Sequence, residues 1–299
     1  MEYRTDLAME RTVYPGGTGE GISVTTSQDG EAQFTWVRIE TEQAAKRFGK
    51  AMGDYWTMMH PELPRLDPEQ RIELARQIAQ TLRLMLPPKG DVLVLGLGNR
   101  RMTADALGDR VVGGVLVTRH LMQENSGSIR GVCALSPGVL GVTGMETAEL
   151  ARGLVDRLKP AAIIVVDALA AMETDHIGTT VQLTDTGIHP GSGIGNHRMG
   201  ITKESMNIPV IAIGIPLVVY ASTIVRDALQ QMLCEGADAE EASEMADHLA
   251  SQTHSDLVVT PKNIDELVAG LADMLALSIN CALQPATPLT SWLTCCTDA

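Results

Sequence analysis

The apolar positions of this chain follow two periods, one typical of buried strands and one typical of helices. Short continuous apolar runs predict strands covered on both faces, and they lie at residues 91–95, 161–166, 179–183 and 208–213. Helical spacing predicts helices at residues 41–52, 68–86, 146–158, 222–233, 235–252 and 263–283. Because strands and helices alternate, we predict an α/β protein with a parallel, doubly wound sheet.

The N-terminal region has a different pattern. Roughly the first thirty residues are polar and rich in glycine, and they predict an arm that depends on its neighbours for order. Residues 34–39 then alternate between apolar and polar, which predicts a strand. Further on, Asp67-Pro68 offers an N-cap followed by a proline at the first helical position, and Pro87-Pro88 ends that helix. Neither an internal repeat nor a linker is visible, so we predict a single domain.

Composition narrows the classes of function. The 299 residues are 44% apolar but only 3% aromatic, so the core must be built from aliphatic side chains. A net charge of −14 disfavours binding to nucleic acid or to an anionic membrane. The N-terminus has no signal-peptide pattern, and apolar stretches such as residues 208–219 are shorter than the ~20 residues of a membrane span. The five cysteines lack paired spacing, which indicates neither a zinc site nor a disulfide framework, so we expect a cytoplasmic protein.

Two carboxylates are candidates for catalysis. Asp167 ends the predicted strand of residues 161–166, and Asp105 follows the Gly-Leu-Gly-Asn loop after the strand of residues 91–95. The carboxyl ends of neighbouring parallel strands meet at one edge of a sheet, so the two side chains are expected to lie close together. Two carboxyl groups that share a proton can activate a water and protonate a leaving amine. The alternative is structural, with Asp105 capping a helix and Asp167 binding loop amides.

Three other motifs do not predict chemistry. The loop of residues 96–99 begins like a dinucleotide fingerprint, but Arg101 stands where the third glycine belongs. Asp185-Thr-Gly187 copies the tripeptide of pepsin-like proteases, which are all-β proteins, and a turn explains it here. His189 and His197 flank a glycine-rich loop, yet the histidine spacing does not favour a metal cluster.

Longer motifs are more specific than these. They lie, in order, at residues 4–8, 117–121, 143–147, 166–171, 185–196, 209–216 and 259–262. Together they resemble the spore germination protease of endospore-forming bacteria. The resemblance runs from residue 4 to about residue 283.

This resemblance implies an endopeptidase that degrades small acid-soluble spore proteins when germination begins. It implies a phosphorylase/hydrolase-like, three-layer α/β fold with a mostly parallel central sheet, similar to the hydrogenase-maturation proteases. It also implies an inactive zymogen, a homotetramer and a location in the cytoplasm of the forespore or spore core. No nucleic-acid or membrane partner is expected.

The resemblance also assigns the site. The two aspartates proposed as catalytic in the family fall on Asp105 and Asp167. Nickel binds at the equivalent acidic positions of the hydrogenase-maturation relatives, but neither a metal nor another cofactor is expected here. Residues expected to line the site are Asn99, Thr103, Asp185, His189 and Asn196.

The chain departs from the family pattern in places. Arg100 stands where an aromatic residue is common, Ala104 where proline is common, and Tyr220 where aspartate is usual. These departures bear on substrate preference without removing either catalytic carboxylate. Cys295 and Cys296 lie beyond the resemblance.

The last expectation concerns the N-terminal arm. Substrates of the family are cut after an acidic residue and before a bulky apolar one, which is followed by Ala and, two places later, by Glu. Residues 5–10, Thr-Asp-Leu-Ala-Met-Glu, have this pattern. We therefore expect self-cleavage between Asp6 and Leu7, with acidification as the trigger. Residues 1–6 would then be a pro-segment and residues 7–299 a single protease domain.

Two alternatives stay open. The first is a metal-assisted maturation protease of the same fold, in which the two carboxylates and a loop histidine are ligands. The second is a spore-protein-binding module without catalysis, in which both aspartates are structural.

Overall fold

The computed structural model describes residues 5–13, 17–121, 129–189, 199–225, 228 and 257–285. Within these ranges the strands are β1 (Ile22–Asp29), β2 (Ala32–Ile39), β3 (Gly53–Met59), β4 (Val92–Gly96), β5 (Val132–Leu135), β6 (Ala162–Ala171), β7 (Thr180–Thr184), β8 (Val210–Tyr220) and β9 (Val258–Val259). The helices are α1 (Ala8–Arg11), α2 (Glu42–Phe48), α3 (Pro68–Met85), α4 (Leu107–Gly114), α5 (Leu140–Thr143), α6 (Thr147–Leu158), α7 (Lys203–Met206) and α8 (Ile264–Leu283).

The strands form one sheet in the order β1-β2-β3-β7-β8-β6-β4-β5, and β9 pairs with β8. Strands β5, β4, β6 and β8 run parallel to one another. Strands β7, β3, β2 and β1 extend the sheet from β8 in antiparallel order. The predicted α/β class with parallel strands at the centre is confirmed, and the antiparallel extension is an addition that the apolar pattern did not predict.

Helices cover both faces of the parallel strands and make three layers. On one face α3, α4 and α8 bury side chains such as Leu82, Leu107 and Leu275 against the sheet. On the other face α6 and α7 contribute Ala151 and Met206 to a second cluster. Since successive residues of a strand point to opposite faces, fully apolar strands such as β4 supply both clusters.

The antiparallel part of the sheet has a smaller core of its own. Helices α1 and α2 pack on β2 and β3, where Ala8 and Phe48 meet Val37 and Tyr55. Residues 5–11 are therefore part of the packed structure, and Leu7 and Ala8 are fully buried.

Most predicted helices are confirmed. The α3 helix begins with a capping box, in which Asp67 accepts the Gln70 N–H at 2.9 Å, and it ends at Met85 before the two prolines. Helices α6 and α8 also match their predicted ranges. The predicted helix of residues 41–52 ends earlier, at Phe48, because Gly49 adopts a left-handed conformation (φ 73°).

Several strand predictions need correction. Residues 22–29 are not an arm but strand β1, which hydrogen-bonds to β2 and leaves nearly all its side chains exposed. A strand with neither face buried carries no apolar alternation, so its sequence resembles a polar loop. Strands β3 and β5 were not predicted either, and β6 and β8 run several residues beyond their predicted ends.

The predicted helix of residues 222–233 is only partly described. Residues 221–225 and 228 are helical, and the rest of it lies outside the described residues, as does the predicted helix of residues 235–252.

Helix α8 corrects the expectation that no apolar stretch approaches the ~20 residues of a membrane span. It has 20 residues and is apolar enough to cross a membrane by length and composition alone. In the structure 72% of its apolar window is buried within the protein, between α3 and α4. Its composition is thus that of a core helix.

Candidate active site

Asp105 lies in a tight turn that follows strand β4. Its Oδ2 atom accepts the backbone N–H of Asn99 at 2.8 Å. The turn approaches the strand end closely, because Gly98 has a φ of +99° and a Cβ there would collide with the Asp105 carbonyl. The Gly-Leu-Gly-Asn sequence, which begins like a dinucleotide fingerprint, therefore positions a carboxylate.

Asp167 lies inside strand β6 and not at its end, because the strand continues to Ala171. It is only 8% exposed, and its Oδ1 accepts the N–H of Ala168 at 2.9 Å. Burial raises the pKa of Asp167 well above its ordinary value of 3.8, and the charges of Asp105 and then Asp6 raise it further. The hydrogen bond from Ala168 opposes this shift only in part.

The structure thus brings the two predicted catalytic carboxylates within electrostatic reach of each other. The chain after β4 is tied to β6 by the Leu97 N–H, which donates to the Val166 carbonyl at 2.8 Å. A third carboxylate, that of Asp6, joins them, and the sequence analysis had assigned Asp6 to a cleavage site and not to the neighbourhood of the pair.

The N-terminal segment lies along the end of strand β6. The Asp6 N–H donates to the Ala170 carbonyl at 2.9 Å, and the Ala170 N–H donates to Asp6 Oδ2 at 2.8 Å. Leu7 is fully buried against Leu169 and Val219. The bond between Asp6 and Leu7 is therefore held against the end of β6, three residues beyond Asp167.

Glu10 anchors the other end of this segment. Its carboxylate accepts the backbone N–H groups of Met172 and Glu173 at 2.9–3.0 Å and contacts His176 Nδ1 at 2.7 Å. The Thr5 hydroxyl donates to it as well. Burial alone would lower the pKa of His176, but the hydrogen bond and charge of Glu10 raise it above 6.5.

The carbonyl group of Asp6 is also held by side chains. Lys50 Nζ donates to its oxygen at 2.8 Å, and Gln182 Nε2 donates to the same oxygen at 2.9 Å. Nothing in the sequence pattern singled out these residues, because Lys50 follows a helix and Gln182 lies within strand β7.

The other predicted lining residues are placed less centrally. Asn99 contacts Asp105, as described, whereas the Thr103 hydroxyl donates to Asp265 of α8 at 2.9 Å. Asp185 lies three residues beyond Gln182 and accepts the Asp54 N–H at 2.8 Å.

His189 lies against Gly200 and at the edge of a segment outside the described residues. Asn196 lies within that segment, so its predicted role stays a prediction. In the part of the chain that the structure describes, no three His, Cys, Asp or Glu side chains are arranged to hold a metal ion.

The positions that depart from the family pattern have separate surroundings. Arg100 is exposed on the turn, Ala104 packs against the main core, and Tyr220 is buried at the end of β8. Cys295 and Cys296 lie outside the described residues. The described cysteines, Cys133 and Cys281, are free thiols.

Comparison with known proteins gives the class to which this fold and site belong. Residues 10–255 match the sequence model of the germination protease family. Germination proteases of Caldanaerobacter subterraneus, Clostridium perfringens and Clostridium tetani are 41%, 38% and 35% identical to this chain. These alignments cover 94%, 94% and 97% of this chain and 94%, 95% and 98% of the relatives.

Among solved structures, the chain matches a nickel–iron hydrogenase maturation protease from Thermococcus kodakarensis. It covers 57% of this chain and 97% of its own, at 19% identity and a TM-score of 0.32.

The sequence matches define a peptidase. The chain belongs to the germination protease family, as its motifs indicated.

Proposed function

We propose that this protein is an endopeptidase that cuts peptide bonds with Asp105 and Asp167 as an acid–base pair around a water molecule. The observation that carries the proposal is the position of the bond between Asp6 and Leu7. It lies in a segment that is hydrogen-bonded to β6 three residues beyond Asp167, the charge of Asp6 reaches Asp167, and the sequence of the segment matches the cleavage pattern expected for the substrates.

The surroundings of the two carboxylates support different roles. Asp167 holds the shared proton, because burial and two neighbouring carboxylates raise its pKa. Asp105 is less buried and takes a proton from the attacking water. The proton of Asp167 then passes to the leaving nitrogen as the peptide bond breaks.

The contacts of residues 5–10 support a self-processing zymogen. A substrate segment with the same sequence pattern would need the same contacts on β6 and Gln182, so an uncut chain would block its own site. Cleavage between Asp6 and Leu7 releases residues 1–6 and removes the Asp6 carboxylate from the pair.

Acidification favours cleavage between Asp6 and Leu7, because the pKa of Asp167 depends on the charge of Asp6. The charge of Asp6 raises the pKa of Asp167, so the seated arm binds a proton more tightly than an open site does. A fall in pH therefore favours the seated arm together with the protonated form of the pair.

The substrates that fit this site are small acid-soluble spore proteins, encountered in the cytoplasm of the forespore or spore core. A net charge of −14 keeps the enzyme off the DNA that these proteins coat. We propose a homotetramer as the working form, which light scattering of the purified protein would test.

The test compares three single variants, Asp105→Asn, Asp167→Asn and the exposed control Asp156→Asn. Each amide keeps the shape of the side chain but cannot exchange a proton. We expect the first two to lose about 10²–10⁴-fold in kcat on a small acid-soluble spore protein. The control should cut as the unmodified chain does. Mass spectrometry after mild acid treatment should find a new N-terminus at Leu7 in the active chains alone.

Other outcomes would reject parts of the proposal. Near-normal turnover by either active-site variant removes that residue from the mechanism. Full activity with an intact Met1 terminus rejects the zymogen. Activity that is lost to a chelator and restored by nickel or zinc replaces the aspartate pair with a metal-assisted mechanism. A substrate that stays bound but uncut by the unmodified chain indicates a binding module.

A further inference from the structure

The carbonyl group of the bond between Asp6 and Leu7 lies between two side-chain donors. Lys50 Nζ and Gln182 Nε2 are 2.8 and 2.9 Å from its oxygen, and both distances are typical of good hydrogen bonds. We propose that Lys50 and Gln182 form an oxyanion site that stabilises the tetrahedral intermediate during peptide hydrolysis. This inference rests on the proposed function, since it assigns two further catalytic residues to the same reaction.

The strand register places one of these donors level with the catalytic pair. Gln182 of β7 lies opposite Gly214 of β8, and Gly214 lies opposite Asp167 of β6. Directly opposite residues point to the same face of a sheet, and neighbouring strands are about 4.8 Å apart. Asp167 and Gln182 therefore face the same side of the sheet, with Gly214 between them and the Leu169 side chain packed over that glycine.

Gln182 is held in the orientation that this role needs. Its Oε1 accepts the Ala8 N–H at 2.7 Å, so its amide nitrogen must face the Asp6 carbonyl. The side chain is 6% exposed and lies within a strand, which fixes its position. Gln182 thus holds the chain on both sides of the peptide bond, at the carbonyl before it and at the amide N–H one residue beyond it.

Lys50 adds a positive charge where negative charge develops. Its ammonium also donates to the Thr5 carbonyl at 3.1 Å, so two consecutive backbone carbonyls hold it. Burial lowers the pKa of Lys50 to about 8, the charges of Asp6 and Glu10 raise it, and the charge of Arg11 lowers it. The side chain is therefore mostly charged at neutral pH and loses its proton above about pH 8.

Hydrolysis of the peptide bond balances with water and the side chains already described. Water oxygen bonds to the carbonyl carbon, its proton goes to Asp105, and the π electrons of the carbonyl move to the oxygen. Lys50 and Gln182 donate to this oxyanion without transferring a proton. The C–N bond then breaks as the carbonyl re-forms, and the nitrogen takes the proton of Asp167. Donors fixed in place before the reaction are the strongest contributors of this kind, each commonly worth about 10²–10³-fold in kcat.

The test uses Lys50→Met, Lys50→Arg, Gln182→Leu and, as a matched control, Lys46→Met on the exposed side of α2. Each full-length chain is assayed on a small acid-soluble spore protein, and the rate of its own cleavage after Asp6 is followed by mass spectrometry. Both Lys50→Met and Gln182→Leu should lower kcat by about 10²-fold or more, with KM changed by less than about threefold. Lys46→Met should behave as the unmodified chain.

The pH profile of activity separates a catalytic role of Lys50 from a purely structural one. Activity of the unmodified enzyme should fall above about pH 8 as Lys50 loses its proton. Because arginine stays charged, Lys50→Arg should lack the loss that Lys50 causes, and it should keep only the loss from deprotonation of Asp167 that both chains share. This readout needs no comparison of absolute rates, so it stands even where Lys50→Met fails to fold.

Two outcomes would overturn the inference. One is Lys50→Met with kcat within about threefold of the unmodified chain, while Asp105→Asn is inactive. The other is an alkaline loss of activity that is the same in Lys50→Arg as in the unmodified chain. Either result leaves the aspartate mechanism intact, whereas an active Asp105→Asn or Asp167→Asn chain rejects the proposed function itself.

Discussion

Two buried carboxylates on either side of the bond between Asp6 and Leu7 differ in how their charges are compensated. Glu10 is 2% exposed and receives hydrogen bonds from two backbone N–H groups, a hydroxyl and His176. Asp167 is 8% exposed and, among the described residues, receives one hydrogen bond, from Ala168. It also faces the charges of Asp105 and Asp6.

The difference shows how one strand supports both binding and chemistry. The Glu10 carboxylate accepts hydrogen bonds from several donors at once, so it holds the N-terminal segment in place. A carboxylate with few donors and like-charged neighbours keeps a proton that it can give away. Glu10 is bound just beyond the end of β6, whereas Asp167, the candidate catalytic carboxylate, lies within that strand.

Removing the compensated carboxylate should have the largest effect on stability. Glu10→Ala leaves His176 and the N–H groups of Met172 and Glu173 without their acceptor, and we expect a loss of about 2–4 kcal/mol. Glu10→Gln keeps one acceptor oxygen and should lose less. Urea unfolding measures both, in an Asp105→Asn chain whose N-terminus stays uncut. A loss below about 0.5 kcal/mol in Glu10→Ala would show that this contact does not anchor the segment.

Removing the carboxylate of Asp167, which has few hydrogen-bond donors, should increase stability. In the same background, Asp167→Asn should raise the free energy of unfolding near pH 7 by about 1–3 kcal/mol, because an amide avoids the cost of a buried charge. The pKa of Asp167 is raised in the folded protein, so the charge costs stability only as the pH rises above the ordinary value of 3.8.

The gain from Asp167→Asn should therefore disappear below about pH 4 and grow as the pH rises. Urea unfolding from about pH 4 to pH 8 checks this trend, with Asp156→Asn as the exposed control. A gain that is the same at every pH would mean that the charge of Asp167 is not its cause.

The sequence predicted those parts of the site that local pattern controls. Asp105 and Asp167 follow from the rule that side chains collect where parallel strands end, although β6 continues past Asp167. The cleavage pattern of residues 5–10 was visible too. The packing of residues 5–10 against β6 could not be predicted, because a segment without apolar periodicity does not indicate which part of the protein it contacts.

The remaining site residues depend on contacts between distant parts of the chain. Lys50, Gln182 and His176 meet residues 5–10 across more than forty positions, and none stands in a local motif. Strand β1 was missed for a related reason, since its stability comes from pairing with β2 and not from burial of a face. The periodicity of apolar residues predicts which faces are buried. It does not predict the position of a residue that hydrogen bonds alone hold in place.

The smallest predicted effect concerns the pH dependence of the anchor. The pKa of His176 is raised above 6.5, so its attraction to Glu10 is fully present below that pH and is lost as the pH rises through the folded-state pKa. In the Asp105→Asn background, His176→Gln should cost about 1 kcal/mol near pH 6 and less near pH 9. The control is Glu173→Gln, whose carboxylate is half-exposed and 3.8 Å from His176 Nε2, while its backbone N–H still donates to Glu10. It should change stability by less than about 0.5 kcal/mol at either pH. A cost of His176→Gln that is equal at the two pH values would mean that the imidazole anchors Glu10 by shape and hydrogen bonding alone, and not by charge.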